Sequence, residues 1–471
     1  MFISPINNVD ILPKTNTSKL SPKKDENILQ EEKLKSVRAE NILSYNLSFK
    51  STNTADEKIR EIEKHLNSET LKQFNKLRES KLLFNNNSND GSSVLDNLYK
   101  ITQNERMVGL SKDNVLNETI KILSNPYSIS QKFGKLPEEL IPEIEKNINW
   151  EITQEYKQPV SATCYAASIE FNIADKQPAE FSRMVEGLTS ANYCVKKSIP
   201  YTSISPSMED SIRELNLFKT QYNVEKDDKT ITLTLKPDRN AIIRARVQNS
   251  YKQPGERTCI DVLMQSMIMN LGSQNTYDTI TDLRTGELNP DISGLTNYEG
   301  NFASRILEGI NKYSFINQII SEYGKLEGHI LDKETLKSKI DKALNSGYNV
   351  IAGYTELMND WITYGHEITI TGKTEKDGVE YYTYYDSNYI LDKPMTAPAD
   401  SLPNNDTPGM VSVGNLMNSR TFIEKIHHID LPLELLLDDK NFRTEFLNKS
   451  LKSTKDYYLT GPEGKENSQP Q

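Results

Sequence analysis

A mixed α+β fold is predicted, with helices gathered in the first half of the chain and antiparallel strands prominent in the second. Three observations carry this. Apolar residues recur at helical spacing from Ile59 to Leu82, and again near Val94 and Val115. Residues 230–235 read TITLTL, the strict alternation of a strand. Residues 365–372 read GHEITITG and residues 379–388 read VEYYTYYDSN, two extended runs on either side of a charged turn with Asp377-Gly378. An Asp-Gly pair between such runs is a strong hairpin signal.

Taken in order, residues 1–50 are polar and rich in Lys, Ser and Asn, with Pro5, Pro13 and Pro22 breaking any periodicity. A disordered tail is expected there. Residues 51–148 are expected to be helical, interrupted by the loop NNNSNDGSS at 85–93. Pro126 ends one of these helices, because it lacks a donor and biases Asn125 away from helical geometry. This region is either an accessory helical subdomain or a pro-segment lying over a site. Residues 149–430 form the next unit. Its expected elements are a helix from Cys164, a helix over 178–188, the TITLTL strand, and an extended run over 241–247 completing a hairpin with it. A core helix follows Cys259, and a helix is expected over 333–344, a strand over 349–354, and a helical run over 419–426. Residues 431–471 are read as a C-terminal helix and a disordered tail. The adjacent His427 and His428 have no Cys, Asp or Glu at ligand spacing, so a surface or partly packed pair is expected rather than a metal site.

Composition narrows the function. The chain of 471 residues carries a net charge of −10, which argues against nucleic acid or an anionic membrane as partner. Three cysteines give neither a disulfide framework nor a zinc spacing. No apolar run approaches the roughly 20 residues that span a bilayer. The N-terminus lacks a basic segment followed by an apolar one, so cytoplasmic residence, or export without a Sec-type signal, is expected.

The chemistry is concentrated in residues 158–168, QPVSATCYAAS. Ser161 and Thr163 are N-cap residue types, so Cys164 stands in the first turn of a helix. There the unpaired N–H groups and the positive end of the helix dipole favour a thiolate. Gln158, six positions earlier, can add an amide N–H to the backbone N–H of the cysteine at a developing oxyanion. A thiolate needs a base. His366 opens the first strand of the predicted hairpin, and the return strand delivers Asp386 to its level, where a carboxylate can fix the imidazole tautomer. Asn388, two positions on and on the same face, is the alternative. A rival nucleophile exists, because KQPGERTC at 252–259 repeats the KQPVSATC of 157–164. Cys259 is nevertheless followed by large apolar residues, the signature of a packed helix.

These segments resemble the papain-like cysteine proteases, in which a Gln precedes the catalytic Cys by the same interval and a Gly-His opens a hairpin followed by Asn or Asp. The long stretch between Cys164 and His366 is similar to the calpain-like arrangement, although no EF-hand-type calcium loop is present. The resemblance covers about residues 150–430. It implies a helical lobe carrying Cys164, an antiparallel β lobe carrying His366 and Asp386, and an N-terminal helical extension. It also implies Gln158 as oxyanion donor, a protein or peptide substrate, and no cofactor or metal. Three functions compete. The first is a thiol hydrolase, foremost a peptidase. The second is a transglutaminase, deamidase or acyltransferase acting on protein amides, relatives in which an Asp third member is more typical. The third is an inactive interaction protein of the same fold.

Overall fold

The computed structural model describes residues 54–153, 161–273, 276–285, 294–321, 323–358, 360–376, 379–388, 410–412, 422–437 and 443. Gln158, the Asp377-Gly378 turn and the two predicted tails lie outside these residues. The described chain is a mixed α+β structure, and every strand pair in it is antiparallel.

The first helices start where the sequence supplies caps. Thr54 and Glu57 close a capping box on α1 (Ala55–Glu63), and Asn67 caps α2 (Ser68–Glu79). Ser93 and Asp96 close a box on α3 (Val94–Gln103), and Ser111 caps α4 (Lys112–Ser124). Each cap gives a partner to N–H groups that the helix itself leaves unpaired. A short α5 (Ile141–Ile148) packs with Leu136, Ile152 and Val247 in a small cluster of its own. The apolar faces of α1 to α4 meet α6 (Cys164–Lys176) and α7 (Pro178–Leu188) in one core. Ile62, Phe74, Leu98 and Ile120 share it with Ile169, Phe171 and Phe181.

Strand β1 (Val195–Pro200), helix α8 (Met208–Leu217), β2 (Gln221–Val224) and β3 (Thr230–Leu235) follow. TITLTL is the central strand of this sheet, in the order β1-β3-β2. Residues 241–247 are not its hairpin partner. They lie within helix α9 (Arg239–Tyr251), whose first N–H groups are accepted by the Asp238 carboxylate. The buried face of α9 includes Arg244 and Gln248. The Arg244 guanidinium lies 4.3 Å above the Phe133 ring and donates to the Gly134 carbonyl. Polar residues on the inner face hide the helical periodicity, and the extended expectation fails for that reason.

The apolar helix after the second KQP segment is α10 (Cys259–Gly272). The hairpin of β4 (Thr276–Asp278) and β5 (Leu283–Thr285) precedes α11 (Asn297–Leu307). A six-stranded sheet then forms from β6 (Lys312–Ile316), β9 (Val350–Met358), β10 (Trp361–Lys376), β11 (Val379–Tyr385), β12 (Met410–Ser412) and β13 (Ile426–Pro432). Its order is β12-β11-β10-β9-β13-β6, while β7 (Gln318–Ile320) and β8 (Leu326–His329) make a separate pair. Helix α12 (Lys333–Asn345) covers one face, with Leu336 and Ile340 against Val350 and Ala352. Ile351, between them in sequence, packs into the core on the α6 side instead, as a period of two requires.

Of the helical run expected over 419–426, residues 419–421 lie outside the described residues; the rest is a single turn, α13 (Phe422–Lys425), from which the chain enters β13. This strand lies between β9 and β6 and is buried at all its positions, ahead of the short α14 (Leu433–Leu437). His427 and His428 are therefore interior residues and not surface ones. No helix among the described residues is long and apolar enough to cross a membrane.

Candidate active site

Helix α6 begins at Cys164, with Thr163 as its N-cap, yet no side chain caps it. The Thr163 hydroxyl is engaged elsewhere: it donates to Gln265 Oε1 at 2.8 Å and accepts from the Arg257 guanidinium. Arg257 also donates to Ser161 Oγ at 2.9 Å and to the Asp282 carboxylate at 3.0 Å. It lies 3.8 Å above the Phe133 ring and is 1 % exposed. A buried cation thus holds the loop before Cys164 by two hydroxyls. The first N–H groups of α6 stay unclaimed by a capping side chain, and the first turn contains no acidic residue. Such a helix start favours an anion.

Cys259 shows the opposite arrangement in a near-identical sequence. Thr258 and Asp261 close a full capping box at the start of α10, so that helix start already holds an anion. Cys259 is 2 % exposed, and burial, with the Glu118 and Asp261 carboxylates nearby, pushes its thiol up to about 12. The repeat in sequence is not a repeat in chemistry. Cys164 and Cys194 are both partly exposed.

His366 lies on β10, opposite Tyr354 of β9. β10 and β11 pair antiparallel up to Thr369 opposite Tyr385, after which the chain leaves the sheet. Asp386 is the next residue, and its Oδ1 accepts from His366 Nε2 at 2.7 Å. The same oxygen accepts the Asn388 backbone N–H at 2.9 Å. The Cys164 side chain also lies beside the imidazole and acts on its charge. Burial by itself would lower the His366 pKa. The Asp386 carboxylate outweighs it, and with the Cys164 sulfur it raises the imidazole well above its ordinary value. Cys164, His366 and Asp386, which span more than two hundred residues of the chain, therefore meet at one point. The fourth predicted residue, Gln158, lies outside the described residues.

Asn388 is also present, in a different role. Its side-chain nitrogen is 3.4 Å from His366 Nε2, and its Oδ1 accepts from Gln131 Nε2 at 2.6 Å. Gln131, 3 % exposed, also donates its backbone N–H to the Ser387 carbonyl at 3.1 Å. Sequence reading missed Gln131 altogether. It belongs to the irregular segment after α4, where no periodicity marks a buried polar residue. The neighbouring Tyr127 packs edge-on to Phe171 of α6 and to Tyr385, and Tyr385 donates to the Ile129 carbonyl. The end of the N-terminal helical region thus supports both the cysteine helix and the Asp386 turn.

No family model, curated protein or solved structure matches this chain. The functional reading rests on the geometry and on the resemblance of the two segments that supply it.

Proposed function

We propose that the protein is a thiol-dependent hydrolase of the papain-like type, foremost a cysteine peptidase acting on a protein or peptide. One observation carries this reading: a single imidazole is shared between a sulfur at a helix start and a carboxylate. In the proposed reaction the Cys164 thiolate adds to the substrate carbonyl carbon, and the oxyanion forms beside the first N–H groups of α6. The resemblance adds the Gln158 amide as a further donor. The imidazolium of His366 gives its proton to the departing amine, leaving a thioester. The neutral imidazole then takes a proton from water, whose oxygen displaces the sulfur and releases the acid. Asp386 holds the ring and stabilises the imidazolium between the two steps.

A second reading has its own support. The direct partner of His366 is the carboxylate of Asp386, while the Asn388 amide stands one contact further off. An Asp third member is more typical of the papain-fold transglutaminases, deamidases and acyltransferases. A peptide and protein panel incubated with wild type and Cys164→Ala separates the readings. New amino termini made only by wild type support the peptidase. Ammonia release or amine incorporation without new termini supports the transferase. Neither product, together with ordinary thiol reactivity at Cys164, would leave an inactive interaction protein.

A further inference from the structure

The residue after the nucleophile and the residue after the base both end on the same strand. Tyr165, 1 % exposed, donates its hydroxyl to the Asp430 carboxylate of β13. Glu367 forms an ion pair with His428 of β13, at 3.4 Å between Oε2 and Nε2. The two atoms make no hydrogen bond, and the contact is an ion pair. We propose that β13 is a positioning strand for the catalytic pair, with Asp430 holding Cys164 through Tyr165 and His428 holding His366 through Glu367. This rests on the thiol-hydrolase reading above.

The fold makes room for both contacts at two glycines. Glu367 lies opposite Gly353 of β9, and Gly353 lies opposite His428 of β13, so the three form one row across three strands. Side chains two strands apart meet only if the middle position is empty. A Cβ on Gly353 would come within 2.3 Å of the His428 ring. On the helical side, a Cβ on Gly300 of α11 would come within 2.2 Å of the Tyr165 ring. The Asp430 end is closed into a circuit. Ser314 donates to Asp430, Asn301 donates to Ser314 at 2.8 Å, and the Tyr165 hydroxyl lies 3.3 Å from Asn301 Oδ1. Burial would lower His428, but Glu367 raises it to about 9, so the pair is ionic at neutral pH. His427, whose Nδ1 lies 3.1 Å from His428 Nδ1, is lowered to about 4 by burial and by its charged neighbour, and serves as acceptor.

The geometry has a direct consequence for the reacting atoms. Successive side chains on a strand leave opposite faces. Fixing Glu367 toward the α6 side therefore fixes the direction in which His366 leaves β10. Fixing Tyr165 fixes the rotation of the first turn of α6, and with it the sulfur of Cys164. Asp430 and His428 are two residues apart on one strand, so the two lobes are referenced to a common rigid element. Neither residue reaches the reacting atoms, and both act through a neighbour.

The experiment is the pH dependence of carboxamidomethylation of Cys164 by iodoacetamide in the intact chain, read by mass spectrometry. The variants are Tyr165→Phe, which keeps the ring, and Glu367→Gln, which keeps the shape. Wild type is expected to label readily near pH 5.5, where an ordinary unpaired thiol is almost wholly protonated and slow to react. Each variant is expected to label about tenfold more slowly there, because a displaced imidazole no longer supports the thiolate. Near pH 8.5 each should stay within about twofold of wild type, since an ordinary thiol is then half ionised. The two variants approach the pair from opposite sides, so either one decides if the other does not fold. A variant that melts lower but keeps the wild-type labelling profile overturns the positioning role. Should wild type itself label slowly near pH 5.5 and match His366→Ala throughout, the thiol-hydrolase reading fails and the positioning strand falls with it.

Discussion

Replacing Asp386 by Asn tests the central contact, because it keeps the shape and removes the charge. The bond from His366 Nε2 is 2.7 Å long, with the two side chains 3 % and 14 % exposed, so solvent screens it little. A hydrogen bond to a charged group is worth about 1.5–3 kcal/mol, and a neutral one about 0.5–1.5 kcal/mol. The amide oxygen can still accept from the ring, so the variant should lose about 1–2 kcal/mol of imidazolium stabilisation, or about 5–30-fold in the proton's hold on His366. The chain has five histidines, few enough to follow individually by NMR of histidine-labelled protein, with His366→Gln assigning the signal. The His366 signal is expected to titrate at clearly lower pH in Asp386→Asn than in wild type. Stability should follow with a definite sign. His366 has a raised pKa in the folded chain. Its contribution is therefore fully present below the ordinary imidazole value of roughly 6.5, and it is lost as pH rises through the folded-state value. The gap in stability between wild type and variant should close at alkaline pH. Asn388→Ala should move the signal far less, since its amide nitrogen stands at 3.4 Å. An unmoved His366 signal in Asp386→Asn would refute the assignment of Asp386 as the orienting group.

Three further outcomes are expected. In the native protein iodoacetamide should modify Cys164 first and leave Cys259 untouched until unfolding, because the latter is buried with its thiol at about 12; peptide mapping reads this. Arg257→Met should destabilise the fold by about 3–5 kcal/mol in denaturant titrations, since it leaves the buried Asp282 carboxylate without its cation. It should also slow Cys164 labelling by freeing Ser161 and Thr163. Gly353→Ala should cost at least about 1–3 kcal/mol, as overpacking does, with part recovered in the His428→Ala background that vacates the clash; thermal melts of the single and double variants check this.

The local parts of the site were written in the sequence. An apolar run headed by Cys164 is enough to start α6 there, although Thr163 makes no side-chain cap, and alternation in residues 365–372 and 379–385 is enough to pair β10 with β11 and return Asp386 to His366. Both depend on interactions between residues close in the chain, and so both were legible. The elements that went unread share a different property, a buried face that is not apolar. Arg244 and Gln248 line the inner side of α9, and β13 is covered on both sides, which erases the alternation that would have marked it as a strand. The choice between two KQP segments was also beyond local pattern. Cys164 is open because Arg257 and Gln265, about a hundred residues away, draw off the Thr163 hydroxyl that would otherwise cap its helix. Cys259 is closed because Asp261 completes a box on Thr258 and the core covers the thiol. Period and cap chemistry indicated where helices begin, whereas His366, expected to open its strand, stands inside β10, which begins at Trp361. Which helix start stayed uncapped was decided only when distant polar side chains were buried together and each donor had to find an acceptor across the fold.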